Sequence, residues 1–190
     1  AWTDRQFRSF FDRRDFAAWK AEDRAQLEER SLDALNGPRS REYYQAIGTL
    51  GALRTTNALP PLLALATDRA EKDCRDRWMA IRALGMIGDR AVVPELVPLV
   101  YHGNVNTRWW AQLTLVRLTG TNFGSDWRAW ASWWNAQALQ PPVSTNDWVI
   151  WYKDPAFSDP ERLPATLAES DRKFLESVRQ TVPAAEATPW

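Results

Sequence analysis

One histidine, one cysteine and scattered carboxylates are what this chain offers for covalent or acid–base chemistry, and their spacing works against both. His102 closes an apolar run and is followed by Gly103. A nucleophile triad needs a serine or cysteine within reach of a positioned base, and no such motif flanks His102. An imidazole at a helix C-terminus is better read as a favourable end group. Cys74 stands in Lys72-Asp73-Cys74-Arg75-Asp76, where the acids oppose the cations that would activate a thiolate. One histidine and one cysteine fall short of a zinc ligand set. Asn122, Ser125 and Asp126 carry oxygens suited to calcium, but not in EF-hand order. Gly120 and Gly124 lack the G-x-x-x-x-G-K-S/T context of a phosphate loop. The pair Glu28-Glu29 falls on a helix face that reads as solvated rather than as an acid–base site. The chain is therefore read as non-enzymatic, with no catalytic residue, no metal site and no cofactor.

The residues that stand out are aromatic. There are 12 tryptophans among 190 residues. Each brings a large apolar area and an indole N–H that needs an acceptor. Packing inside a core is one use for them. A docking surface is the other, since tryptophan is enriched at binding hot spots. Trp127, Trp130 and Trp134 fall at helical spacings of three and four, on one face. Trp148 and Trp151 sit in a short β-prone stretch after Pro141-Pro142. Trp130, Trp134, Trp148 and Trp151 are expected to dock a partner, with Arg90 and His102 as polar neighbours.

Charge narrows what that partner is. Lys plus Arg number 24 and Asp plus Glu number 24. No run of five like charges occurs anywhere. A non-specific grip on nucleic acid needs a basic patch for the phosphates, so a nucleic-acid partner is not expected. A polybasic membrane anchor is disfavoured on the same ground. No stretch approaches eighteen consecutive apolar residues, so no membrane span is expected. The remaining partner class is another protein or a protein complex. The chain opens on Ala1 with no preceding apolar leader, which fits a processed protein and a trimmed piece equally. The balance tips towards an extracytoplasmic location over a cytoplasmic one.

The elements that must position these residues are announced by repetition. Ala46, Leu50, Gly51 and Pro60 recur as Ala80, Leu84, Gly85 and Pro94, all at an offset of 34 residues. Ala111, Leu115 and Leu118 begin a third copy, 31 residues after the second. A period in this range points to stacked helical hairpins, each unable to bury its apolar face alone. Ser40 is expected to cap a helix over 41–53, with a turn at 55–57 and a partner helix over 58–66. The second copy predicts a helix from about Asp73 to Ile87, then the turn Gly88-Asp89-Arg90. Its partner helix, 92–101, must bend or stop early, because Pro98 removes a backbone hydrogen bond. The third helix is expected from Asn106 or Thr107 to Leu118. Ser125 or Asp126 caps a last one to about Gln137. Before the repeats, Thr3 and Gln6 form a capping box, and Asp15 is expected to cap a helix that Asn36-Gly37-Pro38 ends. After residue 140 the prolines keep the chain extended, with one short helix expected between 170 and 180.

The run from Arg77 to Leu99 also carries a resemblance. Arg77, then Ala83-Leu84-Gly85-Met86-Ile87-Gly88-Asp89, then Ala91-Val92 and the leucines Leu96 and Leu99, resembles the HEAT repeat in its short, phycobilisome-lyase-like form. Residues 108–118 resemble the first half of a further repeat. Residues 41–66 depart from the pattern, since Tyr43 stands where Arg77 and Arg108 stand and the Gly-Asp turn is missing. Residues 120–134 are similar to a tail that closes the array in bacterial HEAT proteins. The resemblance implies an all-α chain: an α-solenoid of HEAT-like hairpins used as a scaffold or binding platform. It divides the sequence into an N-terminal helical cap (1–38), the array with its Trp-rich closing helix (39–140) and an irregular extended strap (141–190). Arg77, Arg108, Gly85 and Asp89 are assigned to architecture, the two arginines pairing with acids or carbonyls of an adjacent repeat. Relatives on this fold also include bilin lyases and DNA glycosylases for alkylated bases. Those activities would need a pigment pocket, or a basic groove holding a tryptophan and an acid. A carbohydrate-binding module using Trp148 and Trp151 as sugar platforms is a third possibility.

Overall fold

The computed structural model describes residues 16–68, 74–102, 104–137 and 141–143. Within them lie seven α-helices: α1 Ala21–Ala34, α2 Arg41–Leu53, α3 Leu59–Thr67, α4 Cys74–Ile87, α5 Val93–Leu96, α6 Val105–Thr119 and α7 Trp127–Ala136. Three-residue 3-10 turns lead into α3 (Thr56–Ala58) and α5 (Arg90–Val92), and a longer one, Val97–Tyr101, follows α5. No strand occurs among the described residues. The Thr3–Gln6 capping box, Trp148, Trp151 and the strap beyond residue 143 lie outside them.

Local chemistry sets the boundaries. Ser40 is extended, and its hydroxyl accepts from the Tyr43 N–H at 3.3 Å. That satisfies one of the donors a helix start leaves open. Asp126 does the same for α7, accepting from Ala129 N–H at 3.0 Å. Asn104 caps α6 by accepting from Asn106 and Thr107 N–H at 3.0 and 3.1 Å. The helix therefore begins one or two residues before the expected point. Gly88 ends α4 at φ +88°, and the Asp89 carboxylate then accepts from Ala91 N–H at 2.9 Å. Pro98 has the expected effect: α5 lasts four residues before the chain tightens into Val97–Tyr101. The N-terminal helix departs from expectation. Trp19 N–H bonds back to the Phe16 carbonyl, the chain extends at Lys20, and α1 starts only at Ala21. Burial of Phe16, with the Trp19 ring edge-on against it at 5.0 Å, holds that break in place.

The hairpins stack. Helices α2, α4 and α6 lie side by side, with α1 against α2. The second limb of each hairpin leans on the first helix of the next: α3 packs on α4, and residues 97–101 pack on α6. Helix α7 then closes the array over 97–101. One apolar cluster runs unbroken from Tyr43 to Val143, through Ile47, Leu50, Ile81, Leu84, Leu96, Leu99 and Leu115. Each such side chain contributes about 1.5–3 kcal/mol on burial. Small residues set the spacing. A Cβ on Gly51 would sit 2.9 Å from Ala83 Cα and 3.0 Å from its Cβ, so α2 and α4 meet backbone to backbone there. Cross-helix hydrogen bonds tie α6 to α4: Thr114 Oγ1 donates to the Ile81 carbonyl at 3.2 Å, and Arg117 Nε to the Gly85 carbonyl at 2.7 Å.

Candidate partner-binding groove

Two arginines at equivalent repeat positions do the same job. Arg77, near the start of α4, donates to the Asp68 carbonyl at the end of α3. Arg108, near the start of α6, donates to the His102 carbonyl at the end of 97–101, at 3.1 Å. Each guanidinium thus sits on the unsatisfied carbonyl end of the preceding limb, where a cation is stabilising. In the first repeat Tyr43 takes this position. Its hydroxyl reaches the next repeat and donates to Asp76 Oδ2 at 2.9 Å. Burial raises the Tyr43 pKa, and the hydrogen bond to the Asp76 carboxylate raises it further.

His102 is caught between those arginines and is fully buried. Desolvation first, then the charges of Arg77 and Arg108, push its pKa well below 6.5. Its Nδ1 accepts from Asn104 N–H at 3.0 Å, so the neutral ring carries its proton on Nε2. This corrects the expected role as a polar docking neighbour: the imidazole has no surface to offer and is an uncharged internal joint.

Trp130 and Trp134 require the same correction. They are 0 % and 2 % exposed. The Trp130 indole donates to the Gly124 carbonyl at 3.0 Å, and that of Trp134 to the Pro141 carbonyl at 2.9 Å. Phe123 stacks edge-on against Trp130 at 5.1 Å. The aromatic face of α7 points inward because residues 97–101 offer an apolar limb for it to cover. Arg90 is exposed, with its guanidinium 5.8 Å from the Trp134 ring centroid, closing that ring from outside.

A concave feature of the described surface lies elsewhere. A groove of about 530 Å³ opens between the starts of α2 and α4, lined by Arg39, Arg41, Tyr44, Arg75, Trp78 and Met79 among others. Asp76 is fully buried below it and anchors one wall, accepting from Arg39 Nε at 2.6 Å as well as from Tyr43. The Arg39 side chain remains half exposed. Arg75 lies over the Tyr44 ring at 5.1 Å. Trp78 stacks on Trp110 at 6.3 Å with planes 14° apart, and the Trp109 ring meets Trp110 edge-on at 4.8 Å. Arg82, one turn below Trp78, is buried under Trp110 at 5.1 Å, and burial lowers its pKa to about 10. Beside the groove, a hydrogen bond with Ser40 holds the Glu42 carboxyl below its ordinary range, helped by its own backbone N–H and by Arg41.

None of the groove residues was singled out from the sequence as a binding residue. The signal was present: the offset that aligns Leu50 with Leu84 also aligns Arg41 with Arg75 and Tyr44 with Trp78. Applied to surface positions, the repeat period marks the groove.

Stacked hairpins sharing a continuous apolar seam define an α-solenoid of helical repeats. Residues 42–68 and 76–102 each match the PBS lyase HEAT-like repeat, so the chain carries two repeats of that family. A search of curated proteins finds no match, and a search of solved structures finds none. HEAT-like repeats generally mediate protein–protein interaction or scaffolding, and most are non-catalytic. No described helix is long and apolar enough to cross a membrane. Among the described residues, no three of His, Cys, Asp or Glu converge as a metal site.

Proposed function

We propose that this protein is a non-enzymatic interaction subunit of a larger assembly, with the array over 39–140 as its platform, 1–38 as a cap and 141–190 as a strap. The observation that carries the reading is the groove between α2 and α4, where three arginines and two aromatic rings converge on a rigid, stacked frame. Aromatic and arginine side chains are the types that dominate binding hot spots. The frame supports it, because hairpins locked by Gly51 and by the Arg77 and Arg108 contacts hold those side chains at fixed separations.

One enzymatic reading has an observation in its favour. A glycosylase for alkylated bases would use a basic groove with a tryptophan and an acid, and this groove has arginines, Trp78 and the nearby Asp76. The acid is the weak point of that reading. Asp76 is fully buried, and its Oδ2 is held by Arg39 and Tyr43, so it does not present a carboxylate to a substrate surface. A bilin lyase reading has no comparable support.

Isolation of the tagged protein from its source tests the proposal. A stoichiometric protein partner that stays bound through gel filtration is expected. A 21.8 kDa monomer with no stoichiometric partner, or release of a methylated base from damaged DNA, would overturn it.

A further inference from the structure

We infer that the groove takes an extended protein segment with carboxylates at one end and an aliphatic or aromatic anchor at the other. This rests on the interaction-subunit reading and names the partner's chemistry. Repeat-equivalent positions 41, 75 and 106 hold Arg, Arg and Asn. Positions 44, 78 and 109 hold Tyr, Trp and Trp. The aromatic row runs the length of the array, while the cationic row stops after two repeats. At the third repeat the surface turns apolar: Val105 and Trp109, one turn apart on α6, are 45 % and 44 % exposed.

The charge pattern chooses between ligand classes. A polynucleotide carries a phosphate at every step and needs cations throughout its track. Here it would meet Asn106 and Val105 where the next cation is required. A peptide is free to place its charge at one end only. Arg41 and Arg75 match carboxylates, with Arg39 held beside them by its ion pair to Asp76, and guanidinium forks pair with carboxylates in two-pronged fashion. Tyr44 and Trp78 form the floor, and Trp109 with Val105 receives the apolar anchor. Neighbouring helix axes lie about 8–10 Å apart and an extended chain covers about 3.3 Å per residue. The anchor therefore follows the acidic cluster by about three to six residues, on the same spacings.

Fluorescence anisotropy on the full chain tests this. The probe is a fluorescein-labelled peptide with an acidic cluster, a short Gly-Ser spacer and a Leu-Phe anchor. The controls are a version with lysines for the acids and a single-stranded oligothymidylate. The acidic peptide is expected to bind and the lysine version not. The double variant R41E/R75E should weaken binding about tenfold or more, as reversal of two partly exposed charges implies. W109A should also weaken it, and R41K/R75K should keep the preference for the acidic over the lysine peptide at reduced affinity, since lysine keeps the charge and loses the fork. Arg41, Arg75 and Trp109 are exposed, and an unchanged melting curve confirms that the variants fold. Absence of peptide binding, peptide affinity indifferent to R41E/R75E, or oligothymidylate binding as tightly as the peptide would each overturn the inference. So would self-association that R41E/R75E abolishes, since the occupant would then be a second copy. A natural partner retained equally by wild type and R41E/R75E removes the groove assignment and leaves the interaction-subunit reading standing.

Discussion

His102 should make the fold lose stability on mild acidification. In the unfolded chain an imidazole titrates near its ordinary 6.5; in the fold, burial and the charges of Arg77 and Arg108 hold it far lower. Between those two values only the unfolded state binds the proton. Stability is therefore full above about pH 6.5 and falls as the pH drops towards the folded value, by up to about 1.4 kcal/mol per unit. Between pH 7 and pH 5 the loss integrates to about 2 kcal/mol, provided the ring stays neutral in the fold throughout. Urea unfolding followed by tryptophan fluorescence across that range measures it. The control is His102→Asn, whose side-chain oxygen takes the place of Nδ1 as acceptor for the Asn104 N–H. The stability gap between wild type and variant should shift by about 2 kcal/mol in the variant's favour on going to pH 5. The depressed Glu42 carboxyl acts in the same direction at lower pH, and it cancels in the difference because both proteins carry it. The chain has one histidine, so its imidazole C–H resonances are unambiguous in a proton NMR titration. A constant gap from pH 7 to pH 5, or a folded-state midpoint near 6.5, would refute the internal placement between the two arginines.

Other perturbations follow from the packing. Gly51→Ala forces a Cβ into Ala83 and should cost about 1–3 kcal/mol, with partial recovery in G51A/A83G; urea midpoints read both. Trp130→Ala empties the seam under α7 and strands the Gly124 carbonyl, a loss of about 3–5 kcal/mol in the same assay. Arg108→Met removes the contact to the His102 carbonyl and one of the charges opposing imidazolium, so the His102 NMR midpoint should rise while stability falls by about 1–3 kcal/mol. An unmoved midpoint would separate Arg108 from the control of His102.

The hairpins were legible because their signals are local. Ser40, Asp126 and the Gly88-Asp89 turn sit within a few residues of the boundaries they set, and the 34-residue period repeats the pattern. The equivalence of Arg77 and Arg108 could be read in the same way, although their acceptors depend on how one limb leans on the next helix. The Trp-rich face of α7 was visible as a face, but its direction was not. Periodicity defines a stripe on a helix and is silent on whether another limb covers it, and here residues 97–101 do. The groove was harder still. Arg39 comes from the loop before α2, and Asp76, which fixes it, comes from the next repeat. That juxtaposition exists only once the repeats stack. The repeated surface pair of Arg41 with Arg75 and Tyr44 with Trp78 was written in the sequence, but a core-directed use of the period passes over it.

Site-specific photo-crosslinking in the native source tests the central claim most directly. A benzophenone side chain placed at Gln45, on the wall of the groove, is compared with one at Ala64, on the exposed side of α3. Stoichiometric crosslinking to one protein partner from position 45 and none from position 64 is the predicted result. Crosslinking from position 64 alone, or from neither, would contradict it.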